Sequence, residues 1–250
     1  MIIVSGASDN HSKSLIQFIE SVIDNNDTNT TIIAYDLGLN CRNKIILCGK
    51  VNDCFENNIK MIVRKFDYSK YPDYFNIKVN AGEYAWKPVI IKECFDTFCD
   101  LYNDNIVLWM DAGNMITGSI KRLEILIKNN NIYSPVTSGG ILKNRHTDIN
   151  KGWVHQKTYD LIGNNIRETY NMRAGGTIGF NCNNSWVVEL LSKFSMYACD
   201  KDIIAPEGSN RLNHRQDLSI LTILFYQYNE KYNFVIENDT INHTFHNDIG

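Results

Sequence analysis

The chain has 250 residues, 44% of them hydrophobic and 21% charged, with a formal net charge of −3. This is ordinary globular composition, long enough to bury a proper core, and it argues against a basic surface for nucleic acid or anionic lipid. Seven cysteines, an odd number with no CxxC pair, argue against a disulfide framework or a cysteine-rich zinc site and read as reduced thiols. The first residues, Met1 to Ser14, turn polar after four positions and lack the cationic and apolar regions of a signal peptide. No apolar stretch approaches the roughly 18–20 residues that cross a bilayer, so the expectation is a cytoplasmic protein with no membrane span and no nucleic-acid partner.

With four prolines and no Gly/Ser linker, the chain reads as one domain. Ile2-Ile3-Val4 is a short apolar run ending at Ser5-Gly6 and predicts a buried strand. From Ser12 to Ile23, Leu15, Ile16, Ile19, Val22 and Ile23 recur at helical spacing. Thr31 to Tyr35 is a second β-branched run, closed by Asp36, and Met61 to Val63 is a candidate third strand. Glu83 to Leu101 reads as a helix with Pro88 in its first turn. Ile106 to Met110 is a continuous apolar strand ending on Asp111, and Ile120 to Lys128 is helical. Gly175 to Phe180 reads as a strand, and Trp186 to Phe194 and Leu218 to Tyr228 as helices. Alternating strands and helices with unbroken apolar strands predict an α/β fold, a mostly parallel sheet covered on both faces. Ligands of such sheets sit outside the carboxyl ends of the strands, which selects Ser5, Gly6, Asp36 and Asp111 as site candidates.

The sequence contains no GxGxxG after the first strand, no P-loop and no G-x-S-x-G elbow, which disfavours a dinucleotide enzyme, a P-loop ATPase and the usual serine hydrolase. Asp111-Ala112-Gly113-Asn114 reads either as a plain turn or as an acidic strand end able to hold Mg²⁺ or Mn²⁺ against a diphosphate. Lys87, beside Trp86 and Pro88 at a helix start, is either a solvated lysine or a partner for a phosphate seated on that helix end. Asp217 lies where the polar stretch Gly208 to Gln216 becomes an apolar-periodic helix. It reads as a first-turn acid or cap, or as a carboxylate aimed at a reacting centre.

Several segments in order resemble nucleotide-diphospho-sugar glycosyltransferases of the GT-A fold, with a glycogenin-like or related DxD group nearest. Val107 to Gly113 is similar to their strand and DxD region, and Val4 to Ser8 to the first strand and loop against the nucleotide. Ala34 to Leu39 resembles the second strand end near the base or ribose, and Tyr84 to Pro88 the helix start before the DxD strand. Arg173 to Phe180 resembles the small-residue strand beside the donor sugar, and His214 to Leu221 the helix that carries a carboxylate toward the reacting carbon. The resemblance implies a glycosyltransferase that moves a sugar from a nucleoside-diphosphate sugar, UDP-linked, to an unidentified glycan, protein or small-molecule acceptor. It divides the chain into a nucleotide-binding half, about 1–115, and an acceptor and catalytic half, about 116–250.

It further implies Asp217 as the catalytic residue, a base for the acceptor hydroxyl in an inverting enzyme or a charge stabiliser or nucleophile in a retaining one, with the resemblance on the side of retention, and Ser5, Gly6, Asp36, Lys87, Asp111, Ala112, Gly113, Gly175, Gly176 and Gln216 holding the nucleotide-sugar. Mn²⁺ or Mg²⁺ is implied at Asp111. The chain departs from the family pattern in carrying Gly113 where a second acid is usual. His243 or His246 in the C-terminal region would complete the metal site, or both are surface histidines. Trp153, Tyr159 and Tyr170 are either buried rings or acceptor contacts. The alternatives are a protein of the same fold that binds a nucleotide-sugar or glycan without turnover, and a sugar-nucleotide pyrophosphorylase. The loop Ser5 to Asp9 lacks the basic residues expected of the latter.

Overall fold

In the computed structural model of the protein, the described residues are 1–102, 105–137, 152–163, 166 and 170–249. Eight strands are found among them: β1 (Ile2–Ala7), β2 (Thr31–Asp36), β3 (Lys60–Lys65), β4 (Ile106–Met110), β5 (Met115–Ile116), β6 (Ile132–Tyr133), β7 (Thr177–Asn181) and β8 (His243–Thr244). The helices are α1 (Ser12–Asp24), α2 (Cys41–Glu56), α3 (Trp86–Tyr102), α4 (Ile120–Asn130), α5 (Gln156–Ile162), α6 (Ser185–Ala198), α7 (Lys201–Ile204) and α8 (Gln216–Tyr232).

Six strands form one sheet in the order β3-β2-β1-β4-β7-β6. Strands β3, β2, β1 and β4 are parallel, β7 runs antiparallel to β4, and β6 runs antiparallel to β7. The sheet is therefore mostly parallel, with β7 reversed. That reversal matters for function: Thr177 at the start of β7 pairs with Met110 at the end of β4, so the glycines before Thr177 reach the mouth of the parallel strands.

Residues of β1, β2 and β4 are buried on both faces, which is why these runs read as unbroken apolar stretches. Ile3, Ile32 and Leu108 pack under Leu15 and Phe18 of α1, Leu47 of α2 and Leu123 and Ile127 of α4. Val4, Ile33, Val107, Ile178 and Phe180 face the other way, toward Ile90 and Cys94 of α3, Leu190 and Phe194 of α6, and Leu221 and Leu224 of α8. Successive residues of one strand thus belong to two cores.

The strand and helix expectations are met with shifted ends. Helix α3 begins at Trp86 rather than Glu83, because Asn80, Ala81, Gly82, Glu83 and Tyr84 all have positive φ. Strand β7 begins at Thr177 rather than Gly175, since the two glycines belong to the cleft. Helix α2 was not expected; among its side chains only Leu47 and Cys54 are buried, while Ile45 and Phe55 are exposed, so it lacks an apolar stripe. None of the described helices is long and apolar enough to cross a membrane.

Candidate active site

A cleft of about 720 Å³ opens at the carboxyl ends of β1 and β4, within the range typical of small-molecule sites. Its floor comes from Gly6 and Ala7 at the end of β1, Asp111 to Asn114 after β4, and Gly175 and Gly176 before β7. The Asp111 N–H donates to the Gly176 carbonyl at 2.9 Å. The Asn114 amide donates to the same carbonyl at 2.7 Å and to Thr177 Oγ1 at 3.0 Å. A Cβ on Gly176 would stand 3.2 Å from Asp111 Oδ2, so a residue without a side chain lets the carboxylate lie against the neighbouring strand end.

Lys87, the second residue of α3, is 3% exposed and sits at the centre of this floor. Its Nζ lies 3.0 Å from Asp111 Oδ1 and 3.0 Å from Asp217 Oδ2, and donates to the Gly175 carbonyl at 3.1 Å. Three acceptors match the three N–H groups of an ammonium. Burial works against the charged lysine, but the two carboxylates outweigh it and hold its pKa above the usual lysine value. Asp217 is 5% exposed. Burial pushes its carboxyl above the usual range against the pull of Lys87, and Asp111 adds to the rise. Asp111 is further fixed by Trp109, whose indole N–H donates to Oδ1 at 2.7 Å.

Asp217 reaches this point because α8 begins at Gln216 and aims its first turn into the cleft. The helix cap is Arg215, which makes no side-chain cap hydrogen bond, so Asp217 is not the cap. Lys87, Asp111, Ala112, Gly113, Gly175, Gly176, Gly6, Gln216 and Asp217 all line the cleft. With its three donors already matched, Lys87 clamps two carboxylates, and a phosphate would have to displace one of them. Two expected positions are not among the lining residues. Ser5 is fully buried one residue short of the opening. Asp36 is turned into its own loop, accepting from the N–H groups of Gly38 and Leu39 at 2.8 and 2.6 Å and pairing with Lys44 at 3.1 Å. Its neighbour Leu37 faces the cleft instead.

The two candidate histidines separate. His243 is buried and does not line the cleft; its Nδ1 lies 2.8 Å from the Ile241 carbonyl and its Nε2 3.0 Å from Thr177 Oγ1. A carbonyl only accepts, so Nδ1 carries the hydrogen and Nε2 accepts from the threonine. Both nitrogens are thereby engaged, and the metal role expected of His243 is replaced by a structural one. Burial holds its pKa below the ordinary histidine value. His246 does line the cleft.

The segment that carries His246 is tied down by pairing of β8 with β5 and by the Asn247 N–H, which donates to the Gly113 carbonyl at 2.8 Å. It brings Asp248 over Gly113: a Cβ built on that glycine would meet Asp248 Oδ1 at 2.5 Å. His11 lies 3.3 Å from the same carboxylate.

The aromatic acceptor contacts are likewise relocated. Trp153 is 8% exposed, with the guanidinium of Arg215 lying 4.2 Å over its ring centre. Tyr159 donates to the Ile166 carbonyl, and Tyr170 stacks on Tyr226 with ring centres 3.9 Å apart. None of the three is among the lining residues, and positions 147–151, 164–165 and 167–169 of that segment lie outside the described residues. Tyr84, Trp86 and Phe245 are the Phe, Tyr and Trp rings among the lining residues, and Arg211 lies beside Tyr84. Sequence reasoning missed Arg211, Arg215 and Asp248 as cleft residues. The only available signal was that both arginines fall in the polar stretch before α8.

Comparisons with known proteins agree with the fold. The family described as "Protein of unknown function (DUF1647)" matches residues 1–92. No curated protein matches the chain. A crystal structure of the galactosyltransferase LgtC in complex with donor and acceptor sugar analogues superposes with a TM-score of 0.57 at 19% identity, over 90% of this chain and 70% of that one. The bifunctional glycosyltransferase WbbM gives a TM-score of 0.60 at 15% identity, covering 91% of this chain and 37% of that one. The glycosyltransferase GlyE of Streptococcus pneumoniae TIGR4 gives 0.51 at 13% identity, covering 90% and 43%. The chain therefore has the mixed α/β fold of GT-A glycosyltransferases, and its cleft lies at the carboxyl ends of the strands of that fold.

Proposed function

We propose that the chain is a glycosyltransferase that takes a sugar from a nucleoside-diphosphate sugar, UDP-linked, and passes it to an acceptor hydroxyl with retention. The observation that carries this reading is the Lys87 centre. It draws Asp111 and Asp217, far apart in sequence, onto one buried ammonium at 3.0 Å each, inside the cleft. Two carboxylates against one lysine leave a net negative charge. Such a centre disfavours a bare anion and favours the positive charge that develops on an anomeric carbon as its bond to the diphosphate breaks. Asp217, buried and held by Lys87, is the carboxylate assigned to that carbon, as charge stabiliser or nucleophile. Gly6 and Gly176 are among the residues that line the cleft where the nucleotide and donor sugar would lie.

A divalent cation fits the Gly113 side of the cleft. Asp248 brings a carboxylate to the place where a side chain on Gly113 would project, in the loop that Asp111 opens. Among the described residues no three His, Cys, Asp or Glu side chains converge on one point. Two carboxylates suffice for Mg²⁺ or Mn²⁺ when phosphate oxygens and water fill the remaining positions. Asp111 and Asp248 would hold it, with His246 at the same wall, and the bound ion would offset charge on the leaving diphosphate.

The test is UDP release from a panel of UDP-sugars, with and without added acceptors, beside thermal melts of the same mixtures. Turnover of at least one UDP-sugar is expected. A ligand at 100 times its Kd adds about 2.7 kcal/mol to stability, which a melt resolves. Binding that raises the melting temperature without UDP release under any condition would identify a non-catalytic nucleotide-sugar binder instead.

A further inference from the structure

Two arginines line the cleft beyond the Lys87 centre, and among the described residues neither has an acidic side chain within ion-pair distance. Arg211 donates to the Tyr84 hydroxyl, and its guanidinium lies 5.7 Å from the centre of that ring. The Arg215 guanidinium lies over the Trp153 ring, and its Nε is buried with no hydrogen-bond partner among the described residues. Burial and the nearby charge of Arg211 both push the Arg215 pKa below the usual arginine value, with Tyr84 opposing. A buried guanidinium donor without an acceptor is costly, and two cations held side by side add to the cost.

The fully buried cations Lys87 and Arg173 are answered from within, whereas Arg215 is half-buried and Arg211 exposed. Lys87 has two carboxylates, and Arg173, whose Nε also lacks a partner, sends its terminal nitrogens to Asn238 Oδ1 and to the carbonyls of Ser134 and Glu237. Arg211 and Arg215 have aromatic neighbours but no countercharge among the described residues. Glu83, the acid nearest in sequence to Tyr84, accepts instead from Asn80 and Gln216.

Contacts order the cleft. At one end, His11 meets Asp248 over Gly113; in the middle, Lys87 joins Asp111 to Asp217; at the other end, Tyr84 lies between Lys87 and Arg211. The arginines are thus separated from the Gly113 end, where the diphosphate is assigned, by the carboxylate centre. On the proposed reading of the cleft, that leaves them on the acceptor side of the donor sugar.

We propose that Arg211 and Arg215 hold an anionic group of the acceptor, a carboxylate, phosphate or sulfate, so that the sugar is passed to an acidic compound. The planar fork of a guanidinium matches such groups in two hydrogen bonds, and the Tyr84 hydroxyl for Arg211 and the Trp153 ring for Arg215 hold the two forks in place before binding. This rests on the reading of the cleft as a transferase site.

The test is calorimetric titration of the full chain with glucose 6-phosphate and with glucose, each in the presence of UDP, and with UDP alone. Wild type is expected to bind the phosphate at least about 10-fold more tightly than glucose, the scale of one charge-assisted contact. Arg211→Gln alters an exposed side chain and should lose about that factor for glucose 6-phosphate while its UDP affinity stays within about 2-fold. Arg215→Lys keeps the charge but not the fork and should fall between the two. Equal affinity for glucose and its phosphate in wild type overturns the proposal. So does UDP binding that weakens in Arg211→Gln as much as glucose 6-phosphate binding, since the pair would then serve the diphosphate. A failure of the transferase reading looks different: neither UDP nor UDP-sugars bind wild type, whatever the ratio of the phosphate to glucose.

Discussion

The floor of the cleft and its rim differ in backbone. Gly6, Asp111, Gly175 and Gly176, which make the floor, all avoid positive φ. Asn80, Ala81, Glu83 and Tyr84 on one side of the rim, Gln216 at the start of α8, and His246 in the C-terminal segment all have positive φ without being glycine. Left-handed backbone costs a non-glycine residue about 1–2 kcal/mol, so the rim stores several kcal/mol that the rest of the fold must hold. The restraint is visible: Trp86 donates its indole N–H to the Ala81 carbonyl at 3.0 Å, and the Gln216 amide donates to Glu83 at 3.2 Å, tying the two strained segments together. The floor is what the sheet supplies once its strands are parallel. The rim carries the left-handed positions, and strain kept at a cleft is the usual mark of a surface shaped for its ligand.

The largest expected effect lies on the floor. Asp217→Asn keeps shape and removes charge; turnover should fall by about 10²–10⁴-fold, the contribution of a positioned carboxylate, with UDP affinity nearly unchanged. Steady-state kinetics beside a melting curve checks it, and full turnover in a folded variant would remove Asp217 from the reaction.

Next is Lys87→Met, which leaves Asp217 buried without its cation. Breaking one side of a buried ion pair costs about 3–5 kcal/mol. The pH dependence has a definite sign. Without Lys87, burial raises the folded-state pKa of Asp217 further above its unfolded value, so the penalty is present at neutral pH and is relieved as pH falls through the raised pKa. Urea melts of variant and wild type should therefore converge toward acid pH. A gap that stays constant with pH would show that the loss is one of packing.

A smaller effect should follow at the Gly113 wall. Asp248→Asn removes one of the two carboxylates and should weaken Mn²⁺ binding by about 10-fold or more, read directly by titration of the ion. Unchanged affinity would return the site to Asp111 alone.

The smallest effect sharpens the comparison most. Ala81→Gly relieves one left-handed position and should stabilise the protein by about 1 kcal/mol or a little less, a rise of roughly 2–4 °C in Tm. If the strain shapes the cleft, the same variant should raise the KM for acceptor. A stability gain with unchanged kinetics would make the rim strain incidental to function.

Much of this architecture was legible in local pattern. The apolar runs ending near Gly6, Asp36 and Asp111 are neighbouring strands with their carboxyl ends on one side, because a strand buried on both faces must be continuously apolar. The switch from polar to periodic at Gln216 marked the start of α8 correctly. Helix α2 escaped because its exposed Ile45 and Phe55 blur the amphipathic stripe.

What the sequence by itself determined was the kind of layer each segment could enter, since periods of 2 and 3.6 are properties of consecutive residues. Only the tertiary structure decided which side chains meet. Lys87 reads in the sequence either as a solvated lysine or as a partner for a phosphate, and only the fold brings Asp111 and Asp217 to it from other elements. Asp248 acquired its place over Gly113 through the pairing of β8 with β5. The left-handed run before α3 likewise carries no periodic signal, because it is imposed by neighbours such as Phe75, whose carbonyl occupies the place a Cβ on Gly82 would need. Charge compensation and strain depend on distances between residues remote in the chain, and those distances exist only once the two cores have closed around the sheet.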